Sequence, residues 1–530
     1  MRITKVSLTA FRGVSSNLDL PFDKDGKNLL VYGENGSAKT SFARALELLF
    51  SPVARSDQDI LAHKNLFVDA MPMIEVTFTD ETEGASHTET VTWTQESGKP
   101  TPSWLLSSAA RSAFLDHRKL LQLSDRTRRL PKRFFIIAAE YLFSHLSAGG
   151  TTVSAIWDKI QTDVQKYREA KTARTAEADS GVADPMAHYR PIEEAVNQLN
   201  IALDDYLLPR GDASPPIVIE AERLLKQFEG HNLTISLEFE HLTFNRQAGT
   251  LSGGELTPKV TYCKRPLGSD LGATWVSTHH EVLNEARLTA LALALFFSAV
   301  KLQDQVRYIA GAGDPAQPAR LLVLDDILVG LDYGHRIPVL ELIREEFAAG
   351  GRHQVILFTH DRVWFDLCRL QLEPSEWKTE EFFARRGAGP ESSDFPVRKQ
   401  APCELAARAQ TFLNDGELPA AANYARTSIE TSLKRICDKR DTPIAFSLNP
   451  DSLKIDLFIE AASREPKIAG AAVGPGTRML LSKRLQGTIK AIRTTVLNPL
   501  SHAHPTTVTP TEVKRAIAIA NELVTIARSL

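Results

Sequence analysis

Cysteine is scarce: Cys263, Cys368, Cys403 and Cys437 are the only four in 530 residues, and none has CxxC spacing. That excludes a disulfide framework and the ligand spacing of a zinc finger or zinc hook, so no zinc is expected and a reducing, cytoplasmic setting fits best. Charge of neither sign prevails, with 62 Lys and Arg against 65 Asp and Glu. The global positive excess of a dedicated nucleic-acid coat is therefore missing, although local basic patches remain open. No apolar run reaches the roughly 18 residues of a membrane span, and the most apolar stretch, Leu288 to Val300, reads as a buried helix. The start, MRITKVSLTAF, alternates like a strand and lacks the layout of a leader. No internal repeat is present. At this length two or three domains are expected.

What is present is a sequence of strand and helix patterns in a definite order. Ile3 to Phe11 alternates, Asn28 to Tyr32 is an apolar run, and Ser41 to Phe50 has helical spacing after a Gly-rich loop. MIEVTFTD and HTETVTWTQ predict an antiparallel pair. Thr152 to Ala178 and Tyr189 to Leu208 predict a helical hairpin with arms of roughly 30 to 40 Å, either two packed helices or a short arm that touches DNA or a partner. Strand character returns at Leu233 to Phe244 and Lys259 to Lys264, and a helix is predicted from Asn284 to Leu302. RLLVLDD and RHQVILFTH are apolar runs of the kind buried in a parallel sheet. Gly387 to Pro402 reads as a linker, and residues 403–530 read as helical.

GENGSAKT, Gly33 to Thr40, sits between a strand and a helix. In that context consecutive backbone N–H groups of Gly33, Glu34, Asn35, Gly36, Ser37 and Ala38, with the helix start at Ser41, cradle phosphate oxygens. Lys39 reaches the β and γ phosphates of ATP, and the Thr40 hydroxyl ligates Mg²⁺. Ala38 stands where glycine commonly precedes the lysine, and its methyl is tolerated there if φ is negative. LLVLDD then supplies two carboxylates at a strand end: Asp325 to hold the metal and Asp326 as general base. Aspartate is one methylene shorter than the glutamate usual at that position, which predicts slow turnover.

Together with Asp332 in GLD, His360 in ILFTHD and AFRG near the start, these motifs resemble the SMC/RecF-type branch of ABC ATPases. The resemblance covers about residues 1–50 and 280–365. It implies an α/β P-loop head with a mixed sheet, a short helical hairpin insertion and an all-α C-terminal domain. Its boundaries would be 1–150 and 231–386 for the two lobes of the head, 151–230 for the hairpin, 387–402 for the linker and 403–530 for the tail. It further implies that Arg12 lies against the nucleotide, that His360 senses the γ-phosphate, and that Lys39, Asp326 and His360 act in hydrolysis. Ser112 to Leu121 occupies the Q-loop region without a glutamine in register; Asp116 and Arg118 read there as candidates or as ordinary surface and hinge residues.

LSGGE, Leu251 to Glu255, spells the ABC signature, yet Pro258 and the strand-like KVTYC follow it, where a signature must cap a helix. LNEAR, Leu283 to Arg287, leads directly into LTALALALFF and is the expected signature, with Asn284 as cap and Glu285, Ala286 and Arg287 departing from the family letters. LSGGE is then expected in a hairpin turn or surface loop. A signature and D-loop (Asn284, Glu285, Arg287, Asp332) cannot reach the phosphate loop of their own head, so a nucleotide-dependent homodimer is implied.

In the tail, Arg426 and Glu430 share a helical face and His502 lies in a Pro-bounded turn. This arrangement resembles the HEPN-like domains of the PrrC and RloC anticodon nucleases and implies either a nuclease set or a helical dimerisation or docking module. The leading expectation is an ATPase that controls DNA sensing or an effector protein in bacterial anti-phage defence. The rivals are an ATP-gated RNA nuclease and a RecF-like repair ATPase.

Overall fold

Alternation in the first residues becomes strand β1 (Arg2–Thr9), with Val6 and Leu8 turned into the core at a period of two and Ile3 brought in beside them by a register irregularity between Ile3 and Lys5. The computed structural model describes residues 1–51, 60–82, 85–109, 111–124, 131–143, 146–148, 151–176, 185–211, 213–228, 232–267, 282–304, 318–328, 330–385, 395–399, 402–440, 442, 444, 455–463, 481–493 and 509–530. They divide into two units, Met1–Arg398 and Lys399–Leu530. In the first, β2 (Leu18–Pro21) pairs with β1, and β3 (Asn28–Gly33) leads through the Gly-rich loop into α1 (Lys39–Leu49). Strands β4 (Met73–Thr82) and β5 (Ala85–Trp93) complete an antiparallel sheet of order β2-β1-β4-β5.

After α2 (Ser103–Ala109), strand β6 (Ala113–Asp116) and α3 (His117–Leu123), the chain turns into α4 (Pro131–Ile137), a π-helical turn and a small ribbon of β7 (Ser147–Ala148) and β8 (Thr151–Thr152). The helical hairpin follows as α5 (Val153–Ala176) and α6 (Pro185–Leu207), then α7 (Pro216–Phe228). Val153, Ile156, Trp157, Ile160, Val164 and Tyr167 of α5 form one buried stripe, so along this stripe the hairpin is packed helix. Beside it lie β9 (Leu233–Asn245), β10 (Thr250–Tyr262) and β11 (Arg265–Leu267) in an antiparallel sheet.

Two sequence expectations are corrected in this unit. LSGGE is part of β10, with Leu251, Ser252, Gly253 and Glu255 paired to β9, and not a turn or surface loop. Gly253 and Gly254 both take positive φ, Gly254 drops out of the pairing, and a Cβ on Gly253 would fall 2.2 Å from the His241 carbonyl oxygen, so only glycine permits the strand to continue.

The remaining head elements are α8 (Glu285–Asp304), β12 (Leu321–Asp325), α9 (Tyr333–Leu342), β13 (Gln354–Thr359), α10 (Arg362–Gln371), β14 (Trp377–Arg385) and β15 (Phe395–Arg398). They build a six-stranded sheet of order β15-β14-β3-β13-β12-β6, parallel except for β15. Every residue of β3, β12 and β13 is buried, as continuous apolar runs in a sheet covered on both faces should be. Residues 395–398, expected in the linker, are instead its edge strand: FPVR pairs with β14, and an edge tolerates Pro396, which has no N–H to donate. Parallel register brings the C-terminal ends of β3, β13, β12 and β6 to one rim of the sheet, with Asp325 opposite both Phe358 and Asp116.

The second unit is all-α among its described residues: α11 (Pro402–Asn414), α12 (Leu418–Lys439), α13 (Ile455–Ser463), α14 (Lys483–Ile492) and α15 (Pro510–Ser529). Ile429, Leu433 and Ile436 of α12 pack with Val513, Ile517 and Leu523 of α15. A capping box between Thr509 and Glu512, with Pro510 in the first turn, starts α15.

Candidate active site

The loop between β3 and α1 turns on Gly36 at φ 84 and Ala38 at φ 72. The negative φ expected for Ala38 is therefore corrected: the alanine takes the left-handed conformation that the usual glycine takes freely, because the chain must reverse there to begin α1. No side chain caps α1, which leaves its first amides for an external acceptor. Glu34, Asn35, Gly36 and Thr40 are exposed, whereas Gly33, Ser37, Lys39 and Ser41 are buried. The Ser37 hydroxyl has no hydrogen-bond partner. Lys39 folds back over the loop, its Nζ donating to the carbonyls of Gly33 at 2.6 Å and Glu34 at 3.2 Å. Burial lowers its pKa, opposed by the charges of Asp326 and Asp325.

At the end of β12, Asp325 is 4% exposed, and its Oδ2 accepts from Thr40 Oγ1 at 2.8 Å. Its Oδ1 is buried with no partner. Burial first, then repulsion from Asp326, pushes this carboxyl up to about 6, against the pull of Thr40 and Lys39. An unsatisfied carboxylate oxygen beside a hydroxyl is the hard-oxygen donor set that Mg²⁺ takes, so these residues fit the metal the motifs imply.

Asp326 follows at φ 55, with its N–H on the Phe358 carbonyl at 3.0 Å. Its Oδ1 meets both the backbone N–H and the Nδ1 of His360, each at 2.9 Å, and its Oδ2 is 4.0 Å from Lys39 Nζ. Neighbouring strand ends thus place Lys39, Thr40, Asp325, Asp326 and His360 together. Arg12, at φ 50, lines a cavity of about 400 Å³ with Thr40, Asp116, Arg118, Asp325 and Asp326. Burial and the nearby Arg44 and Arg118 lower the Arg12 pKa, an environment suited to an anion. Asp116, which the sequence favours as an ordinary surface or hinge residue, lies opposite Asp325 and caps α3 through the Lys119 N–H at 2.8 Å. The one signal that marks it is its position at the end of an apolar strand.

Asn284 is the N-cap of α8: its Oδ1 accepts from the Arg287 N–H at 3.0 Å, and Glu285 occupies the first turn. The Arg287 guanidinium lies 4.7 Å over the Tyr262 ring. Asp332 caps α9, accepting from the N–H of His335 at 3.1 Å and meeting its Nδ1 at 2.6 Å. Neither of these groups lines the cavity around Thr40. In the second unit, Arg426 Nε donates to Glu430 Oε1 at 2.9 Å, each about one-third exposed. His502 lies outside the described residues.

No protein-family model matches the sequence, and no curated protein matches it. Among solved structures the chain is similar to the Smc head domain of Pyrococcus furiosus with an extended coiled coil bound to the C-terminal domain of ScpA (14% identity, 78% of this chain and 99% of that one, TM-score 0.38). It is also similar to an SmcHead bound to the C-winged helix domain of ScpA (13%, 76% and 98%, TM-score 0.38) and to the SMC head domain of Thermotoga maritima (13%, 76% and 100%, TM-score 0.31). Likeness at this level says nothing about what the chain does. Among the described residues, no helix is long and apolar enough to cross a membrane.

Proposed function

We propose that the chain is a magnesium-dependent ATP hydrolase that works as a head-to-head homodimer of SMC/RecF type. The observation that carries this reading is the bond between Thr40 and Asp325, which joins the first turn of α1 to the end of β12 and leaves one buried carboxylate oxygen open. In this reading the loop amides and Lys39 hold the triphosphate, Lys39 exchanging the Gly33 and Glu34 carbonyls for phosphate oxygens. Bound Mg²⁺ would neutralise charge developing on the β and γ phosphates. Asp326 orients a water and accepts its proton as the oxygen–phosphorus bond forms and the bond to the β-phosphate oxygen breaks, releasing ADP and phosphate. His360 holds Asp326 in place and faces the same phosphate.

Asn284 with Glu285, Arg287 and Asp332 complete the site of a second copy, so that ATP joins two heads and hydrolysis parts them. The cycle then serves DNA sensing or an effector in anti-phage defence. Phosphate release is the test: it is expected to need magnesium, to vanish in Lys39→Ala, and to rise with double-stranded DNA. Turnover indifferent to DNA would remove the sensing role, and turnover that survives Lys39→Ala would remove the site.

A further inference from the structure

We propose that Arg336 is a positioning residue that ties the face meant for a second copy of the chain to the Asp326–His360 pair. This deepens the ATPase reading and rests on it. The path starts at α8, one turn beyond its Asn284 cap. There Thr289 is buried, and a Cβ on Gly330 would lie 2.8 Å from Thr289 Oγ1. The loop that carries Asp332 therefore leans on the proposed signature helix so closely that a side chain at Gly330 would displace the Thr289 hydroxyl.

The next carbonyl, that of Leu331, accepts from Arg336 Nε at 2.7 Å, while the other arm of the same guanidinium donates to Asp361 Oδ2, also at 2.7 Å. Arg336 is 12% exposed and lies 5.9 Å from the Trp364 ring centroid. Asp361 spends its second oxygen on the Trp364 N–H, capping α10. Although burial alone would raise its pKa, the Trp364 amide and Arg336 hold it below the usual carboxylate value, so the pair is charged. Asp361 directly follows His360, whose two donors hold Asp326.

A guanidinium is planar and its arms are fixed relative to one another. Movement of the Leu331 carbonyl is thus transmitted to Asp361 and from there to His360, without a flexible side chain to absorb it. Lysine has the charge and can meet two acceptors, but its donors rotate on a flexible stem without the fixed fork that ties one acceptor to the other, so it does not substitute. Partner contact at Asn284 or Asp332 is felt at the carboxylate that activates water.

The test uses the full chain with Arg336→Lys, Asp361→Asn and the double variant. Asparagine keeps the helix cap and removes the charge. Affinity for a fluorescent ATP analogue is expected to stay within about twofold of wild type, while turnover at saturating ATP falls about tenfold in each single variant and no further in the double, a size ordinary for coupling positions. Specific turnover should also lose its rise with protein concentration. Unchanged turnover in the single variants overturns the proposal. So do losses that multiply in the double, or affinity that falls in step with turnover, which would make Arg336 a residue of the fold alone. A wild type that binds ATP but never hydrolyses it overturns the ATPase reading first, and this coupling with it.

Discussion

One oxygen of Asp326 receives two donors from a single residue, the backbone N–H and the ring Nδ1 of His360, both at 2.9 Å. The carboxylate cannot rotate without breaking both bonds, which leaves its second oxygen, beside Lys39, as the one available to a water. The short aspartate is thus held by its neighbour and by a left-handed backbone that aspartate tolerates.

Asp326→Asn should therefore keep ATP binding and lose turnover by about 10² to 10⁴-fold, the usual worth of a general base. His360→Ala should lose less, because the base is misplaced but still present. Paired binding and turnover assays check both. A His360→Ala enzyme slower than Asp326→Asn would reverse the assignment of roles.

Ala38 offers a test on stability. An alanine in the left-handed region costs about 1–2 kcal/mol, and glycine returns part of any gain through its freer unfolded chain. Ala38→Gly is expected to stabilise the nucleotide-free protein by about 1 kcal/mol in denaturant titration. A destabilised variant would mean that the loop does not adopt this turn.

The two signature candidates separate cleanly. Asn284→Ala removes a helix cap worth about 1 kcal/mol and, with it, the group proposed to face the partner's nucleotide. ATP-dependent dimerisation, followed by light scattering, should disappear. Ser252→Ala in the LSGGE strand should leave dimerisation and turnover as they were. The opposite pattern would restore the literal motif.

Much of this was legible because it is local. The strand, loop and helix from Asn28 to Leu49, the buried runs ending at Asp325 and Thr359, and the cap at Asn284 are all written in consecutive residues. What could not be read depends on partners distant in sequence. LSGGE becomes strand because β9 pairs with it across a glycine irregularity, and the Gly-, Pro- and Ser-rich stretch contains β15 because β14 offers an edge. The letters also hide backbone angles, so the sign of φ at Ala38 was out of reach. Arg336 and Asp361 are 25 residues apart and meet only through the fold.

Asp325 makes the metal-free protein sensitive to pH. Its carboxyl rises from an ordinary 3.8 to about 6, so the uncharged form is favoured on folding. The associated stability is complete below about pH 4 and is lost as pH climbs through 6, up to roughly 3 kcal/mol. In the presence of a chelator, Asp325→Asn should raise the melting temperature at pH 8 and leave it unchanged at pH 4. Equal effects at both pH values would contradict the buried, unsatisfied carboxylate.

Retention of labelled ATP by the purified chain, with and without excess magnesium, probes the joint action of Lys39, Thr40 and Asp325. The wild type should hold nucleotide only when the metal is present, and Lys39→Ala should weaken it by about a hundredfold or more. A wild-type chain that passes through the column free of nucleotide at saturating magnesium would contradict the account at its root.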